Sequence, residues 1–275
     1  MSGEEEEKKE REAEERTAPA GAVVYRAIQL EGEEELKRDS RALGWSGLAA
    51  GLSMGFSLVC EALLRAHLPA RPWEPAVSKL GYSIGFLIVI LGRQQLFTKN
   101  TLTVILPLLR EWKAGVLVKV IRLWIVVLLA NLAGAFAFAW LLGGTEVFDA
   151  GMRRVFAEVG REAIAPGFGT MLLRAILAGW LIALMVWLLP FAESARLWVI
   201  VILGYFVGLG GLAHVIAGSV ETFYLVVTGE ISFLHFLGGF LLPALIGNVI
   251  GGVSLVAALA HVQFMVHDPD ENISI

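Results

Sequence analysis

Cysteine and charge are scarce in this chain. Its single cysteine among 275 residues, Cys60, lies in an apolar run, which excludes an intrachain disulfide framework and a two-cysteine redox pair. Only 17% of residues are charged, against 56% hydrophobic, and the mean hydropathy is +0.69. Charges crowd the stretch before Leu43, so the remainder is more apolar still. That excludes a large soluble domain and predicts an integral membrane protein whose main surroundings are the lipid bilayer. No basic stripe with interleaved aromatics is present, so nucleic acid is not an expected partner. His-x-x-x-His, Cys-x-x-Cys, phosphate-cradling glycine loops and nucleophile elbows are also missing, so no metal, no cofactor and no enzyme activity are expected. The first twenty residues lack the apolar core of a cleavable leader.

Long apolar runs and 30 glycines are what the chain does have. Glycine lets helix backbones approach closely in lipid. Hydropathy predicts an all-α membrane protein with six spans. The first covers about 44–64. The second begins near Ser78, breaks at 93–99 and resumes to about Leu109. The third covers about 115–142, and a polar loop follows from Gly143 to about Ala163. The fourth covers about 165–189. The fifth begins near Arg196, breaks around 207–214 and resumes to about Val227. The sixth covers about 235–263. The expected organisation is a charged cytosolic segment (1–43), a first repeat (44–142), an inter-repeat loop (143–164), a second repeat (165–263) and a tail (264–275). Within the first segment, Glu4, Glu5, Glu7 and Glu12 each precede a Lys or Arg by four positions, the pattern of a solvated helix. Residues 22–42 read as an amphipathic helix at the membrane surface.

The two breaks occupy matching places. Each is followed by an Asn-x-x-Gly-small motif, Asn131-Leu132-Ala133-Gly134-Ala135 and Asn248-Val249-Ile250-Gly251-Gly252. Thr98 precedes Asn131 by about 33 positions and His214 precedes Asn248 by about 34, the signature of a repeat. Three spans per repeat is an odd number, so the second copy is inverted relative to the first. Paired broken helices in inverted repeats point to a central permeation site, because non-helical backbone survives in a bilayer only where protein or a wet cavity satisfies it. The Lys and Arg distribution, dominated by the N-terminal segment, places both termini in the cytosol.

The chemistry expected at the breaks follows from helix ends. The restarted helices carry about +0.5 of partial charge at their first turns, attractive to anions. Thr98 and His214 stand at those ends and can bond each other and a passing solute; the imidazole can also exchange a proton with a weak acid. Lys99 and Glu221 are charges inside spans, each costing about 2.5–3.5 kcal/mol unless paired or facing a cavity; a contact between them is one expectation, and Lys99 reaching toward water with Glu221 packed at a subunit interface is the other. Arg93 and Arg174 read as helix-end residues at headgroup level, and Gln94 and Gln95 as structural loop residues. Asn131 and Asn248 are expected to bond the broken loops. Tyr82, Phe86, Phe97 and Phe206 are candidates for narrowing a pore.

Leu96-Phe97-Thr98-Lys99-Asn100-Thr101, Gly211-Leu212-Ala213-His214 and the two asparagine motifs, in this order, resemble the formate/nitrite transporter family, on a divergent bacterial branch of it. Gly47-Leu48-Ala49-Ala50-Gly51 and Gly55-Phe56 also fit, and the resemblance spans roughly 40–265. It implies an aquaporin-like fold, a homopentamer with one pore per subunit, residence in the bacterial inner membrane, and conduction of small monovalent anions such as formate, nitrite, lactate or hydrosulfide. By motif position Thr98, His214 and Asn248 are the transport centre, and Tyr82, Phe86, Phe97 and Val207 lie near two apolar constrictions. Four positions depart from the family pattern. Gln95 replaces a glutamate, Lys99 a small residue and Gly179 a fourth-span asparagine, while Glu221 adds a carboxylate.

The reading is a channel or transporter for small anions or their conjugate acids. Helix ends attract the anion, apolar constrictions favour its neutral acid, and His214 supplies or stabilises the proton. Two other readings stay open. One is a channel of the same fold for neutral solutes such as water or an undissociated acid; the other is a non-conducting membrane scaffold or sensor working through its N-terminal segment.

Overall fold

The computed structural model describes residues 21–192 and 194–267. The expected solvated helix at 4–16 and most of the 264–275 tail lie outside the described residues.

The described chain is all helical. It runs α1 (Gly21–Lys37), α2 (Ser40–His67), α3 (Glu74–Ser78), a 3₁₀ turn (Lys79–Tyr82), α4 (Ser83–Leu91), α5 (Phe97–Thr103), α6 (Ile105–Arg110), α7 (Ala114–Gly144), α8 (Ala150–Ile164), α9 (Phe168–Leu188), α10 (Arg196–Leu209), α11 (Val215–Val227), α12 (Phe233–His235), a π-helical stretch (Phe236–Leu241) and α13 (Leu242–His267). Five stretches are long and apolar enough to cross a membrane: Ser40–His67, Glu74–Leu91, Ala114–Gly144, Phe168–Leu188 and Phe233–Leu255. The sixth span is the broken pair α10 and α11, apolar but individually short. The result is two inverted three-span repeats with the second and fifth helices broken.

Both breaks use one turn geometry. Arg93 and Gly211 adopt left-handed backbone, with φ of 49° and 58°. Gln94 N–H donates to Val89 C=O at 2.9 Å, and Leu212 N–H to Val207 C=O at 3.0 Å. The inner bonds, Arg93 N–H to Ile90 C=O and Gly211 N–H to Gly208 C=O, are both 3.1 Å. This is the Schellman closure, which turns the chain and satisfies the last carbonyls of the first half-helix. Gly211 takes this conformation freely, whereas Arg93 bears a Cβ penalty of about 1–2 kcal/mol. The helices restart at Phe97 and Val215. Thr98 and Lys99 therefore sit inside a restarted helix, not in the break as the sequence reading has it.

The stretch read as a polar loop, 143–164, contains α8. Asp149 caps it, its Oδ1 accepting from Met152 N–H at 2.9 Å. Met152, Phe156 and Val159 recur at helical spacing and are buried. Polar residues on the outer face mask this apolar stripe when the segment is judged by composition.

α1 and α8 are counterparts. Each precedes the first span of a repeat, and each seats a glycine on the restarted half-helix. A Cβ on Gly32 would lie 2.0 Å from the Thr103 carbonyl oxygen, and one on Gly160 would lie 2.6 Å from that of Glu221. Thr103 C=O is the group that Pro107, which has no N–H, leaves without its helical donor. Val24, Ile28 and Leu36 bury the inner face of α1. An ion pair ties each helix to the end of its half-helix, Glu33 to Arg110 at 3.7 Å and Arg161 to Glu230 at 2.8 Å. The repeat unit is therefore a surface helix, a span, a broken span and a span, with α1 and α8 on opposite faces.

The spans pack through backbone contact. α2 lies against α7 and α9 against α13. A Cβ on Gly51 would meet Asn131 O at 2.1 Å, and one on Gly251 would meet Ile176 O at 2.1 Å. Gly51→Ala or Gly251→Ala is expected to lower stability by about 1–3 kcal/mol, as overpacking does. Gly115→Ala, where a Cβ meets nothing within 4 Å, serves as the control and should leave the melting temperature unchanged. Thermal unfolding in detergent checks the comparison; equal melting temperatures for all three variants would contradict this packing.

Candidate functional site

A backbone break inside an apolar slab leaves N–H and C=O groups without water. One asparagine answers each break. Asn131 Oδ1 accepts from Phe97 N–H at 2.9 Å, and its Nδ2 donates to Gln95 C=O at 2.8 Å and Gly47 C=O at 2.7 Å. Asn248 Oδ1 accepts from Val215 N–H at 2.8 Å, and its Nδ2 donates to Ala213 C=O and Ala175 C=O, both at 2.8 Å. Each carboxamide thus ties the break to the first span of its repeat. Gly179 packs on Asn248, whose carbonyl oxygen would be 2.5 Å from an added Cβ, so an asparagine does not fit there in this packing.

These bonds fix the repeat register. Phe97 corresponds to Val215, hence Leu96 to His214 and Thr98 to Ile216. Thr98 and His214 are not equivalent positions, yet the inverted halves bring them together. Thr98 Oγ1 and His214 Nε2 are 2.7 Å apart, with His214 fully buried and Thr98 almost so. His214 caps α11, its Nδ1 accepting from Ala217 N–H at 3.1 Å. An accepting Nδ1 carries no proton, so the neutral ring holds its hydrogen on Nε2 and donates it to Thr98 Oγ1. The threonine hydroxyl hydrogen is then left to point elsewhere.

The helix ends are less open than the sequence implies. Phe97 N–H, Val215 N–H and Ala217 N–H are all accepted by side chains. What remains for an anion is mainly the partial positive charge of the ends.

The aromatic candidates separate. The Phe86 ring stands edge-on to His214 with centroids 4.8 Å apart, and Tyr82 lies 5.8 Å from Phe86. Val207 is buried in α10. Phe97 turns to Trp124, 5.9 Å away, and Phe206 is half exposed on the outer surface. Gln95 is buried and structural: its N–H donates to Ser46 Oγ at 3.1 Å, and its side-chain oxygen accepts from Asn100 Nδ2 at 2.9 Å.

The expected Lys99–Glu221 contact does not form. Lys99 Nζ donates to Glu31 Oε1 of α1 at 2.6 Å. Lys99 belongs to the first half-helix, whose free face is covered by α1, while Glu221 belongs to the second, covered by α8. Glu221 instead lines a cavity of about 190 Å³ shared with Lys79, Tyr82, Glu162, Arg174 and His214. Arg174, read as a headgroup-level residue, therefore faces this cavity beside Gly211. Glu61 was missed. It is a fully buried carboxylate in the first span, paired with Lys79, and a lone acid in an apolar run was the signal.

The family model described as formate/nitrite transporter matches residues 22–262. The inner membrane protein YfdC of Escherichia coli is 40% identical over 263 residues, covering 95% of this chain and 85% of that protein. The formate channel BtFdhC of Bacillus thuringiensis is 29% identical over 225 residues, covering 78% of this chain and 82% of that one. Among solved structures, a pentameric formate channel with formate bound superposes with a TM-score of 0.72 at 18% identity, covering 82% of this chain and 98% of that chain, a likeness of fold.

The ion-pair assignment has a direct check. Stability differences for Lys99→Met and Glu31→Gln, alone and combined, should show coupling of about 0.2–1 kcal/mol, modest because the Glu31 side chain is 43% exposed. Lys99→Met and Glu221→Gln should be additive; coupling to Glu221 in place of Glu31 would contradict the structure.

Proposed function

The chain belongs to the formate/nitrite transporter family, a family of multi-pass membrane channels and transporters and not of enzymes, and from that premise we propose that it conducts small monovalent anions or their conjugate acids through a pore centred on Thr98 and His214. The 2.7 Å bond between these two side chains is the observation that carries the reading. It joins the two broken helices at a buried point beside a polar cavity. On this reading an anion is drawn into the cavity by Arg174 and by the positive end of α11. His214 holds Thr98 Oγ1 from one side, and the threonine O–H is offered to the solute. Phe86 and Tyr82 beside His214 and the buried Val207 of α10 form the apolar constriction. Loss of water there raises the basicity of the anion, so the species that crosses is the neutral acid. His214 acts chiefly as a donor and positioner, because its Nδ1 is taken by the α11 cap.

The setting belongs to the same proposal. The chain resides in a bacterial inner membrane with both termini cytosolic, assembled as a homopentamer with one pore per subunit. The likeness to an inner membrane protein supports the location and that to a pentameric channel the assembly, while the Lys and Arg distribution supports the orientation. Small weak acids of the formate, nitrite, lactate or hydrosulfide class are the expected solutes.

Liposome flux of formate, nitrite and lactate between pH 5 and 7 tests the proposal. A charge-assisted hydrogen bond is worth about 1.5–3 kcal/mol, so Thr98→Val should slow flux by about tenfold or more. His214→Ala, which also removes the α11 cap, should slow it at least as much. Wild-type rates in both variants would remove the pair from the pore; osmotic swelling without anion flux would favour a neutral-solute channel.

A further inference from the structure

Glu221 is 6% exposed inside a half-span and makes no hydrogen bond or ion pair among the described residues. Its residual exposure opens onto the cavity it shares with His214. Every neighbouring element bears on its surroundings. α2 presents Glu61 and Arg65, the 3₁₀ turn Lys79 and Tyr82, α8 Glu162, α9 Arg174, and the break His214. The second half of α7 and the stretch Phe236–Leu241 contribute no titratable group. Lys79 is engaged by Glu61, and Arg65 by Glu162 at 2.8 Å. Those four charges cancel in pairs. Arg174 and Glu221 are left on the cavity wall, so the net charge of the cavity depends on one proton. With Glu221 as a carboxylic acid the cavity is positive; with Glu221 as a carboxylate it is balanced.

His214 is poorly placed to exchange that proton. Its Nδ1 holds the α11 cap and its Nε2 holds Thr98, so cycling a proton through it breaks a structural bond. Glu221 has no such bond to break.

Building on the conduction reading above, we propose that Glu221 is the proton-exchanging group of this pore, restricting it to anions of weak acids and moving one proton with each. In the acid form of Glu221, Arg174 is unopposed and an anion enters the cavity. The Glu221 O–H bond breaks and an O–H bond forms on the anion. The neutral acid continues past Phe86, and the negative charge left on Glu221 is balanced by Arg174. That carboxylate repels the next anion until a hydronium ion from the bulk on the cavity side gives it a proton and is left as water. Formate, nitrite and lactate can take this proton. Chloride and nitrate, whose conjugate acids are strong, cannot.

The test uses the full chain in liposomes carrying an internal pH dye, with protein-free liposomes subtracted. Wild type should move one proton per formate, faster as pH falls from 8 to 5, and should leave chloride and nitrate behind. Glu221→Gln should slow formate by about a hundredfold or more, in keeping with the usual weight of a positioned proton donor, and flatten the pH profile. Glu221→Asp, which keeps a carboxyl, should retain a pH-dependent profile. Three results would each overturn the proposal: an unaltered pH profile and proton ratio in Glu221→Gln, wild-type formate flux without proton movement, or chloride moving as fast as formate. The last two need no variant to fold. Wild-type flux with an indifferent Glu221→Gln sinks this inference alone, whereas a wild type without flux at any pH sinks the conduction reading as well.

Discussion

Two carboxamides hold the molecule in its working shape. A helix broken inside a bilayer exposes backbone groups that no water can reach, and each one left unsatisfied costs several kcal/mol. Asn131 and Asn248 supply an acceptor for the first N–H of each restarted helix and donors for carbonyls on both sides of the break. Asparagine is suited to this because one short, rigid side chain carries both functions. The Schellman turns at Arg93 and Gly211 close the preceding half-helices in the same way. Six side-chain bonds and two turns thus convert what would be unbroken rods into a pair of half-helices meeting inside the protein.

The frame is repeated, but the site is not. In the register set by the asparagines, Thr98 stands opposite Ile216 and His214 opposite Leu96. The two halves therefore contribute one hydroxyl and one imidazole from non-equivalent positions, and these meet as acceptor and donor. The faces differ as well. On the first, Lys99 is tied to Glu31 of α1. On the second, Glu61, Lys79, Glu162, Arg174 and Glu221 gather around a cavity next to His214. The two faces of the fold therefore carry different arrangements of charge.

Much of the frame was legible in the sequence because its cause is local. Apolar runs of span length, a polar interruption in the first half and a glycine-rich one in the second, and Asn-x-x-Gly at matched distances all follow from the demand for backbone satisfaction. Thr98 and His214 could be singled out for the same reason, since polar residues at a break inside lipid need partners. α8 escaped because its stripe of Met152, Phe156 and Val159 is thin against Arg153, Arg154, Glu158 and Arg161, so composition outweighed periodicity. The role of α1 as the partner of α8 was hidden too: Gly32 and Gly160 reveal it only once the half-helices they seat on are in place. The Lys99–Glu221 contact rested on two opposite charges lying near the two breaks. Which surface helix covers which half-helix decides charge partners, and that is a tertiary fact with no local signature.

The central claim is that the two inverted halves bring Thr98 against a His214 whose Nδ1 caps α11. Solid-state ¹⁵N NMR of histidine-labelled protein in lipid bilayers tests it most directly, with the spectrum of a His214→Gln variant subtracted to isolate this ring. The account predicts a neutral imidazole with an unprotonated Nδ1, a protonated Nε2, and a dipolar contact from Nε2–H to Thr98. A ring protonated on Nδ1, or one without contact to Thr98, would contradict it.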